Sequence, residues 1–130
     1  IPTGSRGSTG RVPTMLDIFV RIPHRACFRY FLCMIRHVVM FTFTENATEE
    51  QINAAISGLQ ALPGIIPEVK SYRIGRDVGV NAGNFQLAVT ADFDDVAGYL
   101  VYRDHPEHQR VIREKGAPIV AQRCAVQFEY

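Results

Sequence analysis

Histidine and tyrosine side chains in two segments of this sequence are the groups best suited to chemistry. His105 and His108 stand on either side of Pro106 in a polar segment that begins at Tyr102, and His37 interrupts an apolar segment near residue 34. A neutral imidazole, with a pKa near 6.5, can take a proton from a carbon next to a carbonyl group. If these side chains meet in space, the sequence describes an acid–base enzyme. If they do not, it describes a small structural domain.

The segment around His37 is predicted to be a strand with one buried face. Residues 35–44 alternate, and every residue on the face of His37 other than His37 itself is apolar, which indicates a face covered by other elements. That face carries Ile35, His37, Val39, Phe41 and Phe43. The opposite face is mixed and carries Arg36, Val38, Met40, Thr42 and Thr44.

Two helical segments are predicted, and the second is interrupted by proline. Thr48 and Gln51 fit a capping box at the start of the first helix, and Gly58 inside it suggests a close packing contact. Asp94 or Asp95 can cap the second helix, which carries Tyr102. Pro106 breaks it and makes His105 an N-cap of a further helix. His108 then shares an apolar stripe with Val111 and Ile112 and should face the sheet.

The element order predicts an α+β fold. Strands are also expected near 69–76, 85–93 and 122–130, with a loop over 77–84, so the order is β-α-β-β-α-β. This is the ferredoxin-like split βαβ arrangement with a four-stranded antiparallel sheet. Its helix-free face, expected to include Val38, Met40, Ala88 and Ala125, is too apolar for water. Pairing of two copies through their sheets, as a homodimer, is the simplest way to cover that face.

Two stretches of the sequence resemble the signatures of a known family. The stretch from Met34 to Phe43, and Phe93 to Asp95 followed by Tyr102 to His108, resemble the two signatures of the stress-responsive A/B barrel (Dabb) domain. The resemblance covers residues 34–130 and implies a dimeric α/β barrel. Most members of that family have no assigned reaction. The first functional interpretation is therefore a small homodimeric domain with a small-molecule pocket between sheet and helices.

One branch of the family, the plant polyketide cyclases, implies a specific site. Its catalytic histidine, tyrosine and second histidine correspond by motif position to His37, Tyr102 and His108. The reaction implied is an intramolecular aldol condensation of a hydrophobic, polyketide-like substrate, with no cofactor and no metal. A second alternative is a monooxygenase of the similarly folded antibiotic-biosynthesis type, although the chain has no tryptophan and its His-Pro-x-His turn favours the first family.

A purely structural interpretation of the same histidines stays open. In that interpretation His105 and His108 cap the helix, and His37 bonds a buried carbonyl or Tyr102, as buried histidines usually do. The spacing of His105 and His108 could chelate a metal from one helical turn. However, His105 precedes a proline and lies outside regular helix, which makes metal binding the weaker hypothesis.

Residues 1–33 differ from the remainder and are predicted to be an N-terminal extension outside the domain at 34–130. The extension carries five arginines against one acid, Asp17, and begins with a linker-like run. It is interpreted as an organelle transit peptide or as an upstream extension of a chain that starts at Met34. The net charge of +1 gives no indication of nucleic-acid binding, and no apolar run is long enough for a membrane helix. Three cysteines without a Cys-x-x-Cys pair favour a reducing, cytoplasmic setting.

Overall fold

The structure, a computed structural model, describes residues 33–130, which form a four-stranded antiparallel sheet with helices on one face. The predicted extension at 1–33 lies outside these residues except for its last one. The sheet order is β2-β3-β1-β4, which confirms the ferredoxin-like split βαβ fold. In chain order the elements are β1 (Ile35–Phe43), α1 (Glu49–Gln60), a 3-10 turn (Leu62–Gly64), β2 (Ser71–Arg76), β3 (Leu87–Phe93), α2 (Val96–Asp104), α3 (Pro106–Val111), a π-helical turn (Ile112–Gly116) and β4 (Val120–Glu129).

Side chains at the helix starts fix where α1 and α2 begin. Thr48 accepts a hydrogen bond from the Gln51 amide, and the Gln51 side chain accepts one from the Thr48 amide, so the predicted capping box is present. Asp95 caps α2 by accepting a hydrogen bond from the Gly98 amide at 2.7 Å. Both caps give partners to amide groups that would otherwise have none in the first turn.

The helices pack closely against one another at Gly58 of α1. A Cβ atom added there would lie 3.1 Å from Cγ1 of Val111 and 3.3 Å from Cδ of Lys115. Real Cβ atoms rarely come that near to a neighbour, so a glycine is what permits this approach of α1 to the end of α3. The close packing contact that the sequence suggested at Gly58 is therefore present.

The strand register separates the sheet into a helix-covered face and an open face. β1 pairs with β3 and β4, and His37 lies opposite Ala91 on one side and Gln127 on the other. Ala125 lies opposite Val39 and therefore belongs to the helix-covered face. The prediction that Ala125 contributes to the open face is wrong, because strand alternation alone does not say which set of β4 residues points outward. The open face instead carries Arg36, Val38, Met40, Ala88, Asp92, Cys124, Val126 and Phe128.

The core lies between the helix-covered face and the helices. Its largest fully buried side chains are Leu62, Ile66, Val89, Phe93, Tyr102 and Ile119. Burial of this kind contributes roughly 1.5–3 kcal/mol for each large apolar side chain and holds the helices in place on the sheet. Within residues 33–130 no helix is both long and apolar enough to cross a membrane.

Candidate functional site

His37 projects from the central strand β1 into a cavity between the sheet and the helices. The side chain is 4% exposed, and its Nδ1 atom lies 2.7 Å from Nε2 of Gln127 on the neighbouring strand β4. The predicted structural alternatives gave His37 a buried carbonyl or Tyr102 as its partner. The structure gives it the Gln127 amide instead. Since a side-chain NH₂ group can only donate, Nδ1 of His37 accepts, and the proton of the neutral ring lies on Nε2.

The break between α2 and α3 positions the second histidine. His105 is the N-cap of α3, as predicted, and its Nδ1 atom accepts a hydrogen bond from the Glu107 amide at 3.1 Å. In a continuous helix that amide would bond the carbonyl of Arg103, four residues earlier. The break leaves this carbonyl free, and it accepts hydrogen bonds from Nδ1 of His108 at 3.0 Å and from the Gln109 side chain at 2.6 Å.

The bond to Arg103 also fixes the protonation of His108. A carbonyl oxygen only accepts, so Nδ1 of His108 carries a proton and the neutral ring has its lone pair on Nε2. The two histidines are thus neutral tautomers of opposite kind. Within residues 33–130 the side-chain hydrogen bonds of both rings are made by Nδ1, and both rings line the cavity.

Tyr102 joins the two histidines. Its ring stacks on that of His108 with centroids 4.1 Å apart and an interplanar angle of 28°, and its centroid lies 6.3 Å from that of His37. Its hydroxyl lies 3.2 Å from the hydroxyl of Tyr72 on β2. The structure thus brings together His37, Tyr102 and His108, the three residues predicted as a site, and adds Tyr72. Their catalytic role stays a prediction.

The cavity that these residues share has a volume of about 430 Å³. Most of its lining is apolar and includes Val39, Phe41, Leu59, Leu87, Val89 and Ile119. The polar groups of two histidines and three tyrosines lie among these side chains, which is the usual composition of a small-molecule site. The tyrosines are Tyr72, Tyr99 and Tyr102. His37 and His108 both line this one cavity.

Burial keeps the site residues neutral. Desolvation, with contributions from the Arg123 guanidinium and from His108, lowers the pKa of His37 to about 4. Desolvation also lowers the pKa of His108, against the effect of its bond to the Arg103 carbonyl. Burial raises the pKa of Tyr102 and of Tyr72. Near pH 7 His37 and His108 are therefore unprotonated imidazoles, and Tyr72 and Tyr102 keep their hydroxyl protons.

Sequence reasoning missed Tyr72, Gln127 and Arg123. The ring of Tyr72 packs against the core, and its hydroxyl meets that of Tyr102. Gln127 meets His37, and Arg123 lines the cavity, because β4 pairs with β1 in a register that places them opposite His37 and Phe41 respectively. The available signal was that Arg123 and Gln127 fall on the same face of β4, on either side of Ala125. Among residues 33–130 no group of three or more His, Cys, Asp or Glu side chains is placed to hold a metal ion.

The family model of the stress responsive A/B barrel domain (Dabb) matches residues 35–130 of this chain. The chain belongs to the Dabb family. A solved structure from Thermobifida fusca YX, described as a dimeric ferredoxin-like protein of unknown function, shares 41% identity with this Dabb protein. The match covers 78% of this chain and 96% of that chain, with a TM-score of 0.71.

Two further solved structures share the fold. One is a dimeric protein of unknown function with a ferredoxin-like fold from Bacteroides fragilis, and it is 25% identical to this chain. That match covers 78% of this chain and 100% of the B. fragilis chain, with a TM-score of 0.66. A hydroxynitrile lyase from Passiflora edulis is 24% identical over 75% of this chain and 93% of its own, with a TM-score of 0.68. Curated protein sequences gave no match.

Proposed function

We propose that this Dabb protein is a homodimer that performs acid–base chemistry without a cofactor on a small, mostly apolar carbonyl compound. The observation that carries the proposal is the pair of neutral histidines of opposite tautomer at one cavity. His108 offers a lone pair at Nε2, whereas His37 offers an N–H at Nε2. A base and a hydrogen-bond donor at one carbonyl compound are what an aldol-type reaction requires.

In the first step Nε2 of His108 takes a proton from the carbon next to the substrate carbonyl. The lowered pKa of His108 keeps this atom unprotonated near pH 7, and its bond to the Arg103 carbonyl stabilises the imidazolium that forms. The raised pKa of Tyr102 keeps its hydroxyl protonated. The paired hydroxyls of Tyr102 and Tyr72 then donate a hydrogen bond to the enolate oxygen rather than acting as bases.

In the second step the enolate carbon attacks a second carbonyl of the same molecule. The N–H at Nε2 of His37 donates a hydrogen bond to that carbonyl oxygen and polarises the bond, while the ring itself stays neutral. The imidazolium of His108 then returns its proton to the new alkoxide, so that the enzyme regains its starting state. Closure of a linear poly-β-ketone, followed by loss of water, is the reaction proposed.

Cleavage of a cyanohydrin is the second candidate reaction, and the Passiflora hydroxynitrile lyase with the same fold supports it. The same base, His108, would take the proton from the hydroxyl group, and cyanide would leave as the carbonyl forms. Binding of a small ligand without turnover is the remaining interpretation. Neither the cavity nor the comparisons favour a monooxygenase reaction, so no such reaction is proposed.

The test uses a substitution that removes the base and keeps its anchor. In His108→Asn the amide NH₂ can replace Nδ1 as donor to the Arg103 carbonyl, but nothing replaces Nε2. We expect closure of a linear alkyl triketone to an alkylresorcinol, followed by absorbance, to slow by roughly 10²–10⁴-fold. His105→Asn is the matched control, because asparagine also caps helices and His105 lies outside the cavity lining.

The outcomes separate the candidates. Wild-type turnover that persists in His108→Asn would remove the catalytic assignment. Triketone binding without turnover in the wild type would leave only the ligand-binding interpretation. Turnover of mandelonitrile but not of the triketone, lost in His108→Asn, would favour cyanohydrin cleavage. His37→Asn should slow the second step with less effect on α-proton exchange, which is measured by deuterium incorporation.

The homodimer is proposed to form through the open face of the sheet. Met40, Val126 and Phe128 are 37%, 53% and 43% exposed there, and they form a continuous apolar surface with Val38 and Ala88. Such a surface is unusual on a monomer and typical of an association site. The related structures from T. fusca and B. fragilis are described as dimeric, which supports this arrangement.

A further inference from the structure

Arg123 is a charged side chain that the proposed reaction does not use. It lies on β4 opposite Phe41, so it points to the helix-covered face and lines the cavity. Its position is four residues from Gln127 on the same face, roughly 13 Å along the strand. Arg123 therefore lies toward a different part of the cavity from the pair formed by His37 and Gln127.

The charges around the cavity are strongly unequal. Its lining contains two arginines, Arg103 and Arg123, and no aspartate or glutamate. Arg103 is already paired, since its guanidinium donates to the Asp104 carboxylate at 2.8 and 2.9 Å. For Arg123 the structure gives no ion pair and no hydrogen bond with any residue in 33–130. An unpaired guanidinium beside an apolar cavity is suited to bind an oxyanion.

We infer that the cavity takes a substrate whose apolar body carries an oxyanion head group, and that Arg123 binds this head group while the carbonyl lies between His37 and His108. The inference rests on the proposed function and names the substrate class for the same site. A carboxylate or a phosphate matches the fork of the guanidinium, whereas the aliphatic and aromatic lining matches a hydrocarbon chain.

Electrostatics in the cavity agree with this assignment. The positive charge of Arg123 contributes to lowering the pKa of His37 and of His108, so it acts on both rings. An oxyanion bound at Arg123 would partly cancel that effect and make His108 a stronger base when substrate is present. The head group would thus contribute to orientation and to basicity together.

The experiment compares probes with one hydrocarbon chain and different heads. Octanoate, octyl phosphate and methyl octanoate are titrated by calorimetry into the wild type, Arg123→Gln and Arg113→Gln. Arg113 is the matched control, because it is 71% exposed, lies on the π-helical turn and does not line the cavity. Both substitutions remove one positive charge and keep a polar side chain.

We expect the wild type and Arg113→Gln to bind an anionic probe roughly fivefold to tenfold more tightly than the ester. In Arg123→Gln the preference for the anionic probe over the ester should disappear, while the affinity for the ester stays the same. Whichever of octanoate and octyl phosphate binds the wild type more tightly identifies the head group as carboxylate or phosphate. Equal binding of anion and ester by the wild type, or a preference retained in Arg123→Gln, would overturn the inference and leave the proposed function standing. Absence of binding by all three probes would also overturn the inference, whereas the proposed function would still be decided by turnover of the triketone.

Discussion

His37 is the group whose titration should most affect the stability of the fold in mild acid. Its pKa is lowered from the ordinary value of 6.5 to about 4 in the folded protein. Below pH 6.5 the unfolded chain therefore binds a proton that the folded chain does not bind until the pH approaches 4. Because the unfolded state binds more protons in this window, the free energy of unfolding falls as the pH falls. At 1.36 kcal/mol for each pKa unit, the loss is about 3 kcal/mol.

The perturbation is His37→Asn, which removes the titration and keeps an acceptor for the Gln127 amide. Urea unfolding should be measured from about pH 7 to about pH 4, and the wild type should lose about 3 kcal/mol more than the variant over that range. Any cavity left by the smaller side chain lowers the free energy of unfolding by the same amount at every pH. It therefore cancels when the pH-dependent losses of the wild type and the variant are compared. Arg36 lowers the pKa of Asp92, so that carboxylate titrates below the window.

His105→Asn is the control, and its stability should depend on pH as that of the wild type does, because the His37 environment is untouched. The titration of His37 can also be followed directly through its ring proton by NMR. Equal losses of stability in the wild type and His37→Asn, or a ring that titrates near its ordinary pKa, would show that His37 is not held neutral by burial.

Four further outcomes are expected. Gly58→Ala should lower the free energy of unfolding by about 1 kcal/mol despite the gain in helix propensity, because the new Cβ would lie 3.1 Å from a buried side chain. Gly98→Ala, whose Cβ would have ordinary contacts of 3.4 Å or more, should raise it by up to about 1 kcal/mol in the same urea titration. Val126→Glu should convert the homodimer to a monomer in sedimentation, whereas Val101→Glu, at a comparably exposed valine on α2, should not. Thr48→Ala should lower the urea midpoint by an amount equivalent to about 1 kcal/mol, since it removes the cap of α1.

Local signals in the sequence were enough to predict the fold and three of the cavity residues. Strand alternation put His37 on the covered face, and the proline rule put His105 at a helix start with His108 one turn later. Both rules depend only on residues close together in the chain. The regular helix after Pro106 ends at Val111 and continues as a π-helical turn to Gly116, which no local rule predicted.

What the sequence did not predict depends on contacts between distant segments. Ala125 was placed on the wrong face, and Gln127 and Arg123 were not assigned to the site, because a strand that alternates can pair in either of two registers. The tautomers of His37 and His108 could not be predicted from the sequence either. They depend on which nitrogen meets Gln127 and which meets the Arg103 carbonyl, and neither distance follows from spacing along the chain.

The helix break before Pro106 makes helix stability and the orientation of His108 compete for the same Arg103 carbonyl. A substitution that let α2 run into α3 would give the Arg103 carbonyl a backbone partner, the Glu107 amide, and would be favoured by any selection for a longer, more stable helix. The same change would take away the acceptor that fixes the ring of His108. Descendants of this chain that gain a continuous helix at the turn should therefore lose the fixed orientation of the His108 ring, on which the proposed reaction depends.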